Sequence, residues 1–486
     1  MSTILGLSWA WHDGSACIVR DGKILAAIAA ERLTKEKKGR LTDKSLDPVC
    51  EYLLDATGLT WDDIDSVAMS GDPLSLKSNE GPNQGTMTFK SGKVVPIVEY
   101  SHHLCHSASA YYTSSFDSAV CFSLDASSAD PEMYEYNSAT CIGQGNKLHA
   151  LGNSPIPWGR LYNQATENVG LGEGLHKAGT FMGLASYGTP IPNNDYDHDE
   201  KQVIQKDFVK AINIAATTQR GFEWRTLEEV QKLPDGCENL CLSGGSFLNC
   251  NANSYIYKNS KFKNIHHFPG VGDDGISVGA ALYHAHHVLD EPRYHHKPHE
   301  ICYLGKEYAV SEIDYAYIAK RISEGAIVAW MNGRSEFGPR ALGNRSLLAD
   351  PRDQHNRDRL NHIIKTREWY RPFAPITLEE SYQDWFDFEK PSPFMLYTAQ
   401  VKQPKEIPAV THVDGTARFQ TVTEESNERV YKLIKEFEKI TGVPVLINTS
   451  LNGKSQPILE TPEDGLKFFE TTPVDMIVIN GRVIER

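Results

Sequence analysis

Three observations predict an α/β protein of two units from these 486 residues. The first is the N-terminus, where ILGLSW, SACIVR and KILAAIAAE are apolar runs separated by His12-Asp13-Gly14 and by Asp21-Gly22. An Asp-Gly between two apolar runs signals a hairpin, because both turn positions need positive φ. The second is a set of glycine turns, Gly244-Gly245 and Gly270 to Gly275 among them, each between a strand-like run and another element. The third is LDEPRYHHKPHEICYL (289–304), whose prolines and histidines break every period before strand and helix patterns restart.

Taken in order, the three opening strands are followed by a polar, Gly/Asn/Ser-rich stretch near 71–93, read as a loop, and by the short strand VVPIVEY. SHHLCHSASAYY (101–112) reads as a helix with Ser101 as its N-cap, and AVCFSLD as a strand ending at Asp125. A glycine-rich run at 170–188 precedes a polar helical stretch from Asn194 to about Val230. LCLSGGSFLNC (240–250) is a strand and turn before a helix, and HHFPGVGDDGISVGAALYHA (266–285) is a Gly-Asp loop feeding another. With the boundary in 289–304, the units are 1–300 and 301–486. The second holds a helix near 311–324, strand AIVAWM, a basic stretch, helix 424–441, strand 444–448 and a closing VDMIVINGRVIER. No internal repeat is visible. The opening strand, polar turn and hairpin resemble the first phosphate loop of the actin-like ATPase fold.

Charge narrows the function. Forty-nine Lys and Arg face 63 Asp and Glu, a net −14, which argues against broad attraction to nucleic acid. Yet Met331–Pro372 carries nine basic side chains against five acidic ones, as a phosphate-bearing small molecule would require. Nine cysteines without a CxxC pair suit a reducing compartment. The N-terminus lacks a basic leader, and no apolar run approaches the roughly 18 residues of a membrane span, so a cytoplasmic protein without a membrane partner is predicted.

His102 and His106 are four apart and share a face of the predicted helix. Zinc or iron sites use such pairs with carboxylates from elsewhere, and Asp125 at a strand end and Asp273 in a Gly-flanked loop are candidates. A core histidine beside an exposed one explains the same spacing. The six histidines from His284 to His299 read as linker and surface. The glycine turns at 14, 244–245 and 270–275 suit close approach of backbone N–H groups to phosphate. In GRSEFGPRALGNRSLLADPR and KTREWYRPFAP the arginines are interleaved with Gly, Pro and Asn, a composition for gripping anions, with a salt-bridge network as the alternative.

EFGPRALGNRSLLADPR, KTREWYRPFAP and PVLINTSLN, with HHLCHSASAYY, MGLASYG and LSGGSFLNCNAN in the same order, resemble the O-carbamoyltransferase family typified by the nodulation carbamoyltransferases. The resemblance spans nearly the whole chain. It implies an actin-like N-terminal domain of the tRNA threonylcarbamoyl-transferase type and a YrdC-like C-terminal domain. It also implies a metal, usually iron, on His102, His106, Asp125 and Asp273. Carbamoyl phosphate and ATP, the latter with Mg²⁺, would give carbamoyl adenylate and pyrophosphate. The carbamoyl group would then pass to a hydroxyl beside the metal, releasing AMP. Arg340, Arg345, Lys365, Arg367, Arg371 and Asn448 match positions for carbamoyl phosphate and ATP, with Arg340 and Lys365 placed at the chemistry. Gly244, Gly245 and Asn249 match nucleotide positions, Lys454 stands where an arginine is usual, and His12 is a general base or substrate-orienting group. A homodimer is compatible with the resemblance, and nucleic acid enters only as the carrier of a modified base.

Three departures accompany the match. Asp125-Ala126-Ser127-Ser128-Ala129-Asp130 replaces an Asp-Gly-x-Gly-Glu pattern, Thr180 replaces a lysine, and Gln456 stands for a glutamate beside Lys454. Two alternatives remain: a tRNA threonylcarbamoyl-transferase-like enzyme, and a non-enzymatic nucleotide-binding protein on the actin-like fold.

Overall fold

The computed structural model describes residues 2–70, 84–89, 91–126, 137–191 and 201–486. Among these residues the chain forms three sheets. The first contains β1 (Thr3–Ser8), β2 (Ser15–Arg20), β3 (Lys23–Ala29), β4 (Ser66–Ser70), β5 (Gln84–Thr88) and β6 (Val94–Tyr100), in the order β3-β2-β1-β4-β6-β5. The second contains β7 (Ser118–Leu124), β8 (Ser138–Gln144), β9 (Lys147–Ser154), β10 (Asn239–Ser243) and β11 (Asn264–His267), in the order β11-β10-β7-β8-β9.

These two sheets repeat one plan. An antiparallel meander, β1-β2-β3 or β7-β8-β9, is extended from its first strand by two parallel strands, β4 and β6 or β10 and β11. This is the doubled arrangement of the actin-like ATPases. The sequence reading found no internal repeat. Duplicated topology needs only apolar runs of the right length, and those leave no residue-by-residue trace. The Asp21-Gly22 hairpin is as expected, with φ of 55° and 72°.

The helices, in chain order, are α1 (Glu31–Thr34), α2 (Asp43–Thr57), α3 (His102–Thr113), α4 (Trp158–Val169), α5 (Gly174–Ala185), α6 (Val203–Lys206), α7 (Phe208–Lys232), α8 (Cys250–Asn259) and α9 (Ile276–Tyr283). α9 lies on the first sheet and α3 on the second, and the two helices pack on each other. Gly279 permits that crossing: a Cβ there would stand 1.8 Å from the Cys105 carbonyl oxygen. The polar stretch read as a loop contains β5, and 71–83 lies outside the described residues. The glycine-rich run contains α5, whose Phe181 and Leu184 are buried against α4 and α7. α7 begins at Phe208 with Asp207 as its cap. Ser101 stands at the cap of α3, but its side chain makes no capping bond.

The chain beyond 300 adds α10 (Tyr315–Ser323), α11 (Gln354–Asp358), α12 (Tyr382–Trp385), α13 (Glu428–Thr441) and α14 (Pro462–Thr471). Its nine-stranded sheet runs from β12 (Val328–Met331) through β13 (Arg345–Ala349), β14 (Ala374–Leu378), β15 (Phe386–Asp387), β16 (Tyr397–Val401), β17 (Thr416–Val422), β18 (Val445–Ser450) and β19 (Met476–Ile479) to β20 (Arg482–Glu485). Its order is β15-β16-β17-β14-β18-β13-β12-β19-β20. α13 follows its Asn427 cap and buries Val430, Leu433, Ile434 and Phe437.

The histidine-rich connection is not all surface. His284 and His286 are buried, and the His284 ring bonds the Tyr100 hydroxyl at 2.6 Å. Arg293 pins this connection to α3, donating to the carbonyls of Tyr111, Ser114 and Phe116 at 2.7–2.9 Å. Internal contacts, rather than solvent, account for the placement of His284, His286 and Arg293, although His286 Nε2 and Arg293 Nε are buried without a hydrogen-bond partner.

Candidate active site

The helical spacing brings His102 and His106 to one face of α3, opposite Asp125 at the end of β7 and Asp273 in the loop before α9. One ligand atom from each lies within 4.8 Å of every other. The His106 Nε2 is 2.9 Å from Asp125 Oδ2 and 3.3 Å from Asp273 Oδ1. The His102 Nε2 is 3.2 Å from Asp125 Oδ2 and 3.7 Å from Asp273 Oδ1. His106 is fully buried, yet neither ring nitrogen is aligned for a hydrogen bond. His102 Nε2 bonds Asp125 Oδ2, but the buried His106 nitrogens are left without a bond beside both carboxylates, which fits a shared cation, and two imidazoles with two carboxylates form a donor set for iron or zinc. His103 borders the cluster, its Nδ1 at 3.4 Å from the Ser123 hydroxyl and 4.0 Å from Asp125 Oδ2.

The electrostatics follow from burial and proximity. Burial alone would lower His106, but the Asp125 and Asp273 carboxylates raise it to about 10. Burial would raise Asp273, yet the nearby His102 and His12 charges bring it down to about 2. Asp125 is likewise held well below the usual carboxylate range, burial being outweighed by His106 and His102.

The Gly244-Gly245 turn serves this cluster. Gly245 N–H donates to Asp125 Oδ1 at 2.5 Å. Gly244 has φ of 96°, and a Cβ there would meet the Leu124 carbonyl oxygen at 2.4 Å. Asn249 caps α8, accepting from Ala252 N–H at 3.1 Å, and bonds Gln219. None of the three lines the basic cavity described next. The segment that replaces the Asp-Gly-x-Gly-Glu pattern lies outside the described residues from Ser127 to Asp130.

His12 stands between Asp13, at 3.0 Å, and Asp273, at 3.5 Å. Burial would lower its pKa, but the Asp273 and Asp13 carboxylates raise it to about 9. In the metal-free protein this favours the protonated imidazole. A cation on the same carboxylates would weaken that pull.

Beyond Asp273 opens a cavity of about 210 Å³. Asp13, Glu31, Lys37, Lys38 and Asp274 line it from the N-terminal half, and Arg340, Arg367, Arg371, Arg418 and Asn448 from the C-terminal half. Burial and the Arg418 charge press Arg340 down to about 9, and burial lowers Arg367 and Arg371 as well. Arg340 Nε, Arg418 Nε and Asn448 Oδ1 are buried without partners. Crowded guanidinium groups with unspent donors are a site for phosphoryl oxygens. On the opposite wall burial, with Asp13 and Glu31, pushes Asp274 up to about 8.

Other expected contacts sit elsewhere. Arg345 is fully buried and donates to the carbonyls of Gly333, Asn344 and Glu460 at 3.0–3.1 Å, so it braces its own loop. The Lys365 ammonium donates to Ser450 and Asn452 and supports the cavity wall from behind. Lys454 is exposed, and Gln456 lines the cavity instead. Thr180 is buried within α5. Sequence reasoning missed Lys37, Lys38, Asp274 and Arg418. EKKGR looks like a solvated charge run, and Arg418 shows only as a charged position in the alternating strand TARFQTV.

Comparison with known proteins gives the family. The family model described as Carbamoyltransferase N-terminus matches residues 3–84, 81–197 and 193–282, and that described as Carbamoyltransferase C-terminus matches 319–486. Nodulation protein NolNO of Sinorhizobium fredii is 32% identical, covering 98% of this chain and 79% of its own. A 3'-hydroxymethylcephem-O-carbamoyltransferase of Streptomyces clavuligerus is 29% identical over 96% of both chains. Among solved structures, full-length HypF in its phosphate- and nucleotide-bound form aligns at 13% identity with a TM-score of 0.32, over 58% of this chain and 55% of its own. No helix among the described residues is long and apolar enough to cross a membrane. The chain is an enzyme, and it belongs to the carbamoyltransferase family.

Proposed function

We propose that this carbamoyltransferase works in two steps, through carbamoyl adenylate, and delivers the carbamoyl group to a hydroxyl. Carbamoyl phosphate and ATP, with its Mg²⁺, occupy the basic cavity of a YrdC-like unit. Carbamoyl phosphate gives up inorganic phosphate to water, and a carbamate oxygen attacks the α-phosphorus of ATP, expelling pyrophosphate. In the second step the acceptor oxygen attacks the carbamoyl carbon, the hydroxyl proton leaves and AMP departs. The observation that carries this reading is the cavity itself. Arg340, Arg367, Arg371 and Arg418 line one cavity with Asp274, the residue next to Asp273.

Each group has a task that its placement supports. Guanidinium donors neutralise phosphoryl charge as the mixed anhydride forms. His102, His106, Asp125 and Asp273 would hold a divalent metal, iron by resemblance, which when bound supplies Lewis acidity at the transferring carbonyl. Gly245 N–H fixes Asp125, and His12, with Nδ1 on Asp13, presents its other nitrogen to the acceptor hydroxyl.

The acceptor is the hydroxyl of a small molecule or of a hydroxymethylated nucleobase. The Streptomyces relative is named for a hydroxymethyl acceptor, which supports a primary alcohol. A tRNA acceptor is disfavoured by the net charge of −14. The test is pyrophosphate release from ATP by metal-loaded protein. Release that depends on carbamoyl phosphate, with AMP following acceptor addition, supports the two-step route; release indifferent to carbamoyl phosphate contradicts it.

A further inference from the structure

Arg340 hangs from a loop of the C-terminal half whose anchors lie in the N-terminal half. Phe337 is buried in the N-terminal core, its ring 5.9 Å from that of Phe268, four residues before Gly272-Asp273. Gly338 has φ of 99°, and a Cβ there would stand 2.7 Å from the Pro269 carbonyl oxygen, so the loop lies directly on the segment leading to Asp273. Arg340 Nη2 itself donates to the Leu248 carbonyl at 3.2 Å.

Two buried charges hold the loop on either side of Arg340. Arg32, on α1 and only 3% exposed, donates from Nη2 to the carbonyls of Glu336 at 3.2 Å and Gly338 at 2.9 Å. Its Nη1 has no partner, and no carboxylate of a described residue pairs with it. Beyond the bend, Glu336 Oε1 accepts from the N–H groups of Leu342 at 2.5 Å, Asn344 at 3.1 Å and Arg345 at 3.2 Å. A buried guanidinium without a counter-ion is costly to retain for packing alone, and hydrogen bonds from a charged donor are among the strong ones.

Resting on the adenylation chemistry proposed above, we infer that Arg32 is a positioning residue: it fixes the 336–345 loop so that Arg340 meets the phosphoryl groups. A contact from the half that carries the metal-ligand candidates thus sets the geometry of the first step in the other half. Arg32 touches neither substrate nor metal ligand.

The test is a double-mutant cycle in the full-length, metal-loaded chain, read by carbamoyl-phosphate-dependent pyrophosphate release. Arg32→Met keeps the aliphatic stem and removes the donors. It is expected to raise the KM for carbamoyl phosphate about tenfold or more while bound metal stays at the wild-type level. Arg32→Lys, a point donor able to reach one carbonyl, is expected to recover part of that loss. Because Arg32 acts through Arg340, adding either change to Arg340→Gln should cost nothing further. Should Arg32→Met fail to fold, the Lys variant completes the same cycle. Unchanged KM, or losses that multiply in the double variant, would overturn the positioning role. Arg340→Gln with wild-type pyrophosphate release would bring down the adenylation chemistry and this role together; an impaired Arg340→Gln whose residual release falls further, multiplicatively, with the Arg32 change overturns the role alone.

Discussion

His106 has its Nε2 at 2.9 Å from Asp125 and no solvent, so its charge state depends on whether a proton or a metal sits among the four side chains. In the metal-free protein its pKa is raised to about 10. The stabilisation from that proton is therefore complete below the ordinary histidine value of about 6.5 and is lost as pH rises through about 10. Asp273, brought down to about 2, contributes above its ordinary range and loses that contribution as pH falls toward 2. Metal must displace the histidine proton, so apparent affinity should rise about tenfold per pH unit for each proton released between pH 6 and 9. Calorimetry of Zn²⁺ or Fe²⁺ binding in buffers of differing ionisation heat checks this; binding at pH 7 without proton release would contradict it. In the basic cavity, Arg418→Gln should raise the KM for carbamoyl phosphate or ATP about tenfold or more, whereas Lys454→Ala should leave both within about twofold. Spacing marked His102 and His106 in the sequence but could not reject a packing role; Asp125 and Asp273 meet them only through folding. Arg345 and Lys365 read as anion contacts because a sequence lists their charges, not the backbone carbonyls that consume them.

At the scale of elements, two glycines fix the metal-ligand candidates relative to one another. Gly279 lets α9 lie against the Cys105 carbonyl of α3, so Asp273 at the head of α9 faces His102 and His106. Gly279→Ala must spread this crossing, with an expected loss of about 1–3 kcal/mol in urea unfolding and weaker metal retention. Gly244→Ala adds a side chain at φ of 96° against the Leu124 carbonyl and should disturb the Gly245 bond to Asp125. An unchanged metal content in a folded Gly244→Ala variant would argue against that link. Both glycines sit in strings, LSGGS and SVGAA, that look like ordinary turn and helix, and their role depends on a neighbour distant in sequence. α5 goes unassigned in the sequence for the opposite reason: its glycines give weak helix propensity, which the tertiary packing of Phe181 and Leu184 outweighs.

At the scale of the molecule, the two halves read from the sequence as α/β because each has apolar runs, turns and a fresh start after the histidine-rich connection. The doubled sheet plan was hidden, since topology is recorded in pairings rather than residue identities. The shared cavity was hidden too: its lining is drawn from Asp13 to Lys38, from Asp274 and from Arg340 to Arg418, and only the stretch around Arg340 to Arg371 forms a basic cluster in sequence. That division of labour between the halves is the central claim, and it predicts separable steps. The direct measurement is acid quenching followed by mass spectrometry for carbamoyl adenylate in His106→Ala, given ATP, Mg²⁺ and carbamoyl phosphate. The two-site account predicts that this variant loses metal and carbamoyl transfer but still forms carbamoyl adenylate, and that Arg340→Gln forms it at least about tenfold more slowly. A folded His106→Ala that makes no carbamoyl adenylate, or an Arg340→Gln that makes it at the wild-type level, would contradict the account.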